Sequence, residues 1–124
     1  MDDTLAATPA KTAATLRAMG PGGVVLVAGG LDEGVHTSGV ERDALRAACA
    51  TAAAAAHTVV LFGSARTRLL AELTTTSVVD AGSFAEAVRA GLRALRPGDT
   101  LLVSPMFPMR QEDRLALETL VSPE

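Results

Sequence analysis

An uninterrupted apolar run at residues 24–28, Val-Val-Leu-Val-Ala, limits the fold of this chain more than any other feature. A run of strand length without alternating polar residues is typical of a strand that is buried on both faces of a sheet. Further apolar segments follow along the sequence, and we expect strands at residues 24–28, 58–62, 77–79 and 100–104. The fold must therefore cover a sheet from both sides.

Helical patterns separate these strands. Thr8 followed by Pro9 is typical of a helix start, and Ser38-x-x-Glu41 and Ser83-x-x-Glu86 have the spacing of capping boxes. The expected helices lie at residues 9–19, 40–56, 65–73, 84–95 and 111–120. Strands that alternate with helices need crossover connections, which favour parallel pairing. We predict an α/β fold, a three-layer α/β/α Rossmann-like domain with a mainly parallel sheet.

Length and composition exclude several classes of protein. The chain has 124 residues, a length typical of one domain, which we place at residues 1–124. A net charge of −3, with neither Trp nor Tyr, argues against nucleic acid, which calls for basic patches and stacking platforms. No apolar run approaches the roughly 18–20 residues that span a bilayer, and Asp2-Asp3 is unlike a basic signal-peptide start. We expect a cytoplasmic protein with neither a nucleic-acid nor a membrane partner.

Few side chains are suited to catalysis or metal binding. Cys49 is the only cysteine, which excludes an internal disulfide, and its alanine-rich surroundings predict a small buried residue. His36 has no partner at metal-ligand spacing, so we interpret it as a solvated loop residue and predict no metal site. His57 is expected to end the second helix and to favour the helix dipole. Ser64 and Ser104 lack a His and Asp pair placed to activate them, so turn or cap roles are expected.

The loops that follow the strands are the expected ligand-binding loops, because open parallel sheets bind ligands beyond the carboxyl ends of their strands. They lie at residues 29–38, 63–64, 80–83 and 104–110, and the first and last carry the most varied chemistry. Gly29-Gly30 could bring backbone N–H groups to a phosphate. The segment is neither a Walker sequence nor a GxGxxG fingerprint, and a plain sharp turn is the alternative.

Three segments, in order along the chain, resemble the C-terminal domain of Mur ligases and are most similar to the D-glutamate-adding branch. They are residues 2–9 (Asp-Asp-Thr-Leu-Ala-Ala-Thr-Pro), residues 25–34 (Val-Leu-Val-Ala-Gly-Gly-Leu-Asp-Glu-Gly) and residues 97–105 (Pro-Gly-Asp-Thr-Leu-Leu-Val-Ser-Pro). Each motif is weak alone. Together, at the right spacing and over nearly the whole chain, they are fairly specific.

The resemblance implies a part in ATP-dependent amide-bond formation on a UDP-MurNAc peptidoglycan precursor. A carboxylate is activated as an acyl phosphate and is then attacked by the amino group of an amino acid. In the family, the P-loop and most metal ligands belong to a central domain, and an N-terminal domain holds the nucleotide sugar. Residues 1–124 contain neither, so the chain is not expected to catalyse the reaction alone. ATP and Mg are implied only by the family, and no cofactor or catalytic residue is predicted for the isolated chain.

The resemblance assigns nucleotide binding to Asp3 and Thr4. Asp3 matches a family aspartate that contacts the nucleotide near its ribose, and Thr4 matches a family serine. Two polar positions nearby are lost. Leu5 stands where many members have Lys, and Ala7 stands where the family has a Thr near the acceptor amino acid.

The acceptor loops depart further from the family pattern. Glu33 stands where the family's GG-x-D-K-G loop has a Lys that binds the acceptor's carboxylate, which turns attraction of an anionic amino acid into repulsion. After the last strand, small residues and a Ser are replaced by a Met-Phe-Pro-Met segment, residues 106–109. The acceptor-loop candidates are Gly29, Gly30, Asp32, Glu33, Ser104 and Met109. We expect a degraded or retuned acceptor site.

Two functions of different classes remain open. The chain is either a ligase domain whose partner is a separate or missing central ATPase domain, or a free-standing, degenerate, non-catalytic module that binds a small molecule or a protein, with a homodimer as one form. A flavodoxin-like nucleotide binder unrelated to Mur ligases is a third, weaker alternative. A fragment, a split gene product and a stand-alone protein are all compatible with the two ends of the sequence.

Overall fold

A four-stranded parallel sheet organises the fold in the computed structural model, which describes residues 9–19, 23–31, 38–73 and 77–107 except for the side chain of Pro105. The strand order is β3-β2-β1-β4. The strands are β1 (Val24–Gly29), β2 (Ala56–Phe62), β3 (Ser77–Gly82) and β4 (Thr100–Met106), and the helices are α1 (Pro9–Met19), α2 (Gly39–Ala55), α3 (Arg66–Glu72) and α4 (Phe84–Ala94). The helix expected at residues 111–120 lies outside the described residues.

β1 is buried along its whole length. All six of its residues are buried, and parallel ladders to β2 and β4 pair its two edges. These ladders satisfy backbone N–H and C=O groups that water cannot reach. The predictions of a parallel sheet and of a strand buried on both faces are confirmed.

Alternate side chains of β1 belong to two separate hydrophobic layers, as the two-residue period of a strand requires. Leu26 packs with residues of α1, α2 and α3, whereas Val25 and Val27 pack with α4. On the α4 side, the rings of Phe62 and Phe84 meet edge to face with their centroids 5.0 Å apart. Helices on both faces of a parallel sheet make the predicted three-layer α/β/α Rossmann-like domain.

Side-chain caps begin two of the helices. At α2, the Glu41 N–H donates to the Ser38 Oγ at 3.1 Å and the Ser38 N–H donates to the Glu41 carboxylate at 3.3 Å. At α4, the Glu86 N–H donates to the Ser83 Oγ at 3.2 Å, but the Glu86 carboxylate accepts from the Ser83 hydroxyl rather than from its backbone. The capping box predicted at Ser38 is confirmed, and the one at Ser83 forms only its first half.

Small side chains let α2 pack closely on the sheet. Ala48, Cys49 and Ala52 are all buried on this helix. Burial, with a smaller effect from the charge of Glu72, raises the pKa of the Cys49 thiol to about 12. The thiol therefore stays protonated at neutral pH, and the prediction of a small buried cysteine is confirmed.

Three predicted strand ends are wrong, because pairing continues beyond them. β1 extends through Gly29, β3 through Gly82 and β4 through Met106. Gly29 pairs with both Phe62 and Met106, and Gly82 also pairs with Phe62. Residues 80–82, expected in a loop, therefore belong to β3. Hydrogen bonding to the partner strands outweighs the local preference of these residues for turns.

α3 buries a narrower stripe than the sequence suggests. Leu69 and Leu73 are buried, whereas Leu70 is 40% exposed. Successive helix residues point about 100° apart, so the neighbour of a central core residue turns away from the core. The buried side of α3 therefore includes Leu69 but not Leu70.

His57 lies in β2 rather than at a helix end, so its expected role at the helix dipole is wrong. α2 stops at Ala55 because pairing with β1 begins at the next residue. The His57 Nε2 lies 2.7 Å from the Asp99 Oδ2, and the Arg96 N–H donates to the same oxygen at 2.8 Å. These two hydrogen bonds, from His57 first, lower the pKa of Asp99. The contact ties the start of β2 to the turn before β4.

Glycines allow the carboxyl ends of β1 and β2 to approach each other. A Cβ on Gly29 would lie 2.0 Å from the Phe62 carbonyl oxygen, and one on Gly63 would lie 2.2 Å from the Gly30 carbonyl oxygen. Both residues have positive φ, 147° at Gly29 and 76° at Gly63. Only glycine meets both requirements without strain.

Asp99→Asn should reduce the loss of stability in acid. A carboxyl whose pKa is lowered by folding stabilises the protein above the usual aspartate pKa of about 4, and this contribution disappears as the pH falls through the lower folded-state value. The free energy of unfolding, from urea titrations at about pH 5 and about pH 3, should therefore fall less in the variant than in the wild type. Asp43→Asn, at an exposed carboxyl, should keep the wild-type pH dependence. If the free energy of unfolding depends on pH identically in all three proteins, the His57–Asp99 contact does not contribute to acid sensitivity.

Gly63→Ala should lower the free energy of unfolding by about 1–3 kcal/mol more than Gly98→Ala, because backbone atoms must move to admit the new methyl group. Gly98 is the matched control. Its φ is also positive, at 87°, but no atom lies within 4 Å of its Cβ position. Urea unfolding measures both losses, and equal losses would contradict the close approach of β1 and β2.

Candidate functional site

The carboxyl ends of the four strands lie along one edge of the sheet, which we call the carboxyl rim. Its last strand residues are Gly29, Phe62, Gly82 and Met106. Because every pair is parallel, the segments that follow the strands leave from this same edge. The rim therefore gathers the predicted ligand-binding loops on one side of the molecule.

A cleft of about 270 Å³ opens on the rim beyond β1, β2 and β3. Its walls are mostly glycine backbone, aromatic side chains and two serines: Gly30, Leu31, Phe62, Gly63, Ser64, Gly82, Ser83 and Phe84. Sequence reasoning had named residues 63–64 and 80–83 as rim loops but favoured residues 29–38 and 104–110. Glycines at the strand ends are the sequence signal for this cleft, because Gly30, Gly63 and Gly82 bring backbone rather than side chains to its wall.

The Gly29-Gly30 segment forms a tight turn against β2. The Gly30 N–H donates to the Phe62 carbonyl at 3.1 Å, and the Gly30 carbonyl accepts from the Ala65 N–H at 3.1 Å. The Gly30 amide is therefore engaged within the protein instead of pointing at a ligand. This geometry fits the plain sharp turn rather than a phosphate-binding loop.

An ion pair borders the cleft. The Arg66 Nε lies 3.3 Å from the Asp80 Oδ1, and both side chains are partly exposed. Arg66 also lies against Gly82, because a Cβ there would be 3.1 Å from its guanidinium. Exposed pairs of this kind contribute little to stability, but they fix charge beside the opening.

Ser104 is buried within β4 instead of lying in a turn. Its side chain is 1% exposed, and its hydroxyl shares a hydrogen bond of 2.5 Å with the hydroxyl of Thr12 on α1. The turn or cap role expected for Ser104 is wrong, because β4 continues past it. Its predicted part in acceptor binding stays a prediction.

Two bulky residues at the end of β4 belong to the hydrophobic core. Met106 and Phe107 are fully buried and pack in the layer of α1, α2 and α3. Met106 has a φ of 73°, an uncommon conformation for a residue with a side chain, and Arg68 lies 5.3 Å from the centroid of the Phe107 ring. The bulk that distinguishes this loop from the family pattern thus fills the protein's interior.

Several predicted site residues lie outside the described residues: Asp3, Thr4, Asp32, Glu33 and Met109. α1 is the first described element after Asp3 in the chain. Thr12 near the start of α1 bonds to Ser104 near the end of β4, so α1 begins at the carboxyl rim. Asp3 is therefore only six residues from a helix start at this rim.

The described part of the chain offers neither a metal centre nor a membrane span. Among those residues, no group of three His, Cys, Asp or Glu side chains is arranged to hold a metal ion. No helix within the same ranges is both long enough and apolar enough to cross a bilayer.

Comparison with known proteins identifies the family of this chain. The sequence profile of the family described as "Mur ligase, glutamate ligase domain" matches residues 1–107, which include all four strands. The UDP-N-acetylmuramoylalanine–D-glutamate ligase of Desulfosudis oleivorans is 40% identical over 83 residues, which are 66% of this chain and 16% of that protein. The chain thus matches a small part of a much longer relative. This chain belongs to the Mur ligase, glutamate ligase domain family.

Proposed function

We propose that this domain forms the amino-acid side of an ATP-dependent ligase that acts on a UDP-MurNAc peptidoglycan precursor in the cytoplasm. The family match over residues 1–107 carries this proposal. The shared rim supports it, since Gly30 and the end of β4 lie on one edge and α1 begins there. The domain contributes binding surface and orientation, while the phosphate chemistry comes from a central ATPase domain outside residues 1–124.

The described residues do not fit an ATP phosphate site or a Mg²⁺ site. The Gly30 amide is engaged by Phe62, and no acidic cluster in the described ranges could hold the metal. We therefore derive no phosphoryl-transfer step on this chain. Asp3 and Thr4 are proposed to contact only the ribose side of a nucleotide that another domain binds.

Orientation is the contribution that the rim can make. Amide formation needs the amino group of the acceptor within reach of the activated carboxyl, and holding two reactants in place lowers the barrier without any acid or base from the domain. The loops after β1 and β4 leave from adjacent positions, since Gly29 pairs with Met106. They are proposed to hold the acceptor between them.

Glu33 is proposed to shift acceptor choice away from anionic amino acids. A carboxylate in place of the family lysine repels an acceptor carboxylate, and such repulsion is a common way to reject a partner. The buried Met106 and Phe107 change the shape of the other proposed acceptor segment, at the end of β4. Both changes favour an acceptor other than D-glutamate.

A hybrid enzyme tests this function. Residues 1–107 would replace the matching region of the Desulfosudis oleivorans ligase, and amide formation would be followed with ATP, the UDP-linked precursor and a panel of amino acids. We expect ATP-dependent ligation with at least one amino acid other than D-glutamate. Loss of ligation with every amino acid, in a hybrid that is folded and binds the precursor, would reject the proposal.

Glu33→Lys in this hybrid should raise kcat/KM for D-glutamate by about tenfold or more, because it restores attraction between the loop and the acceptor. Glu72→Lys makes the same change of charge at the end of α3 on the opposite edge of the sheet, and it should leave kcat/KM unchanged. An equal effect of both substitutions, or none at Glu33, would show that the loop charge does not select the acceptor.

A non-catalytic binding module is the second candidate function. The observation in its favour is the burial of Met106 and Phe107, which fills the loop where the family has small residues. This alternative predicts that the hybrid stays inactive in every variant. It also predicts that the isolated chain still melts cooperatively as a stable domain.

A further inference from the structure

The described part of the chain has only three buried polar side chains, and two of them bond to each other across the core. The three are Thr12, Ser104 and Thr58, and the bonded pair is Thr12 and Ser104. Thr12 and Ser104 are 0% and 1% exposed, and their hydroxyls share a hydrogen bond although the residues are 92 positions apart in sequence. Polar groups are rarely placed in a dry core unless a partner is fixed opposite them.

This hydrogen bond sets the position of α1 along β4. The other buried residues of α1 are Pro9, Ala13 and Leu16, which make contacts without directional preference. Apolar contacts alone would let the helix slide or turn by a fraction of an ångström at little cost. A hydrogen bond between two buried hydroxyls has a narrow range of length and angle, so it selects one register.

Thr12 lies near the start of α1 and Ser104 lies near the end of β4, and both of these ends belong to the proposed site. α1 begins at Pro9, three residues before Thr12, and Asp3 is six residues before Pro9 in the sequence. Ser104 lies two residues before Met106, whose positive φ turns the chain into the loop after β4. Phe107 then packs beneath Arg68 of α3.

α3 is in turn connected to the loop after β1. The Ala65 N–H, at the start of α3, donates to the Gly30 carbonyl. A continuous set of contacts therefore runs from α1 through β4 and α3 to Gly30. The hydrogen bond between Thr12 and Ser104 connects α1 to β4 in this set.

We propose that Thr12 is a positioning residue, which through Ser104 holds the end of β4, Met106 and Phe107, in one register against the start of α1. The role in catalysis rests on the proposed ligase function. Both hydroxyls are buried and bond to each other, so Thr12 is proposed to act through Ser104 rather than on a reactant. Their task is to keep the two binding segments in register while the reactants are aligned.

Hydrogen exchange in the isolated chain tests the register directly. Thr12→Val removes one hydroxyl with little change of shape, and Thr15→Val is the matched control on the same helix, where the Thr15 hydroxyl donates to the Lys11 carbonyl at 3.1 Å. Thr12→Val should raise the unfolding constant about five- to tenfold. It should also speed exchange at the amides of residues 103, 104, 106 and 107 by more than this global factor, while Thr15→Val leaves those amides unchanged. Exchange at these amides that follows only the global change would overturn the proposal.

The double variant Thr12→Val/Ser104→Ala separates positioning from stability. Removing both hydroxyls avoids a mismatched polar group, so the melting temperature should recover toward that of the wild type. In the hybrid ligase, assayed well below every melting temperature, kcat should stay about tenfold or more below wild type, with KM for ATP within about twofold. Recovery of kcat together with stability would show a purely structural bond and overturn the proposal.

The two proposals can fail separately. An inactive wild-type hybrid would reject the ligase function, and the exchange experiment on the isolated chain would still decide whether Thr12 fixes the loop after β4. An active hybrid in which Thr12→Val and Thr15→Val have the same kcat would reject the positioning role alone.

Discussion

The burial of β1 on both faces and its pairing on both edges is the constraint on which the rest of the structure depends. Its backbone can satisfy its polar groups only through β2 and β4, and its side chains need a helical layer above and below the sheet. Parallel pairing then places the last residue of every strand on one edge. The carboxyl rim is thus a consequence of how the central strand is buried.

Crowding along that rim determines what it can bind. Gly29 and Gly63 let two strand ends touch, and the same contacts engage the Gly30 amide that a phosphate would otherwise use. At the other end of the rim, Met106 and Phe107 turn inward and fill the core. The described rim thus offers little to an ATP phosphate, which is consistent with the proposal that this domain orients an acceptor while another domain handles ATP.

The parallel three-layer architecture could be predicted from sequence because apolar runs and capping residues are local signals with strong physical causes. Ser38 caps α2 and Cys49 is a small buried residue, as their neighbours in sequence predict. His57 and Ser104 do not, because their surroundings are set by residues 42 and 92 positions away, Asp99 and Thr12. Long-range pairing of this kind leaves no periodic trace in the sequence. The cleft between β1, β2 and β3 was likewise only partly foreseen, since its shape depends on how closely the strand ends approach.

We propose that the segments with family motifs, including Asp3 and Glu33, meet at the carboxyl rim. Paramagnetic broadening from a spin label at Leu31→Cys tests this most directly, since Leu31 follows the central strand and the native Cys49 is buried with a raised pKa. The account predicts strong broadening of the amide signals of Asp3, Glu33 and Phe107, and little broadening at His57 and Asp99 on the opposite edge. Broadening at His57 and Asp99 with an unaffected signal from Asp3 would contradict it.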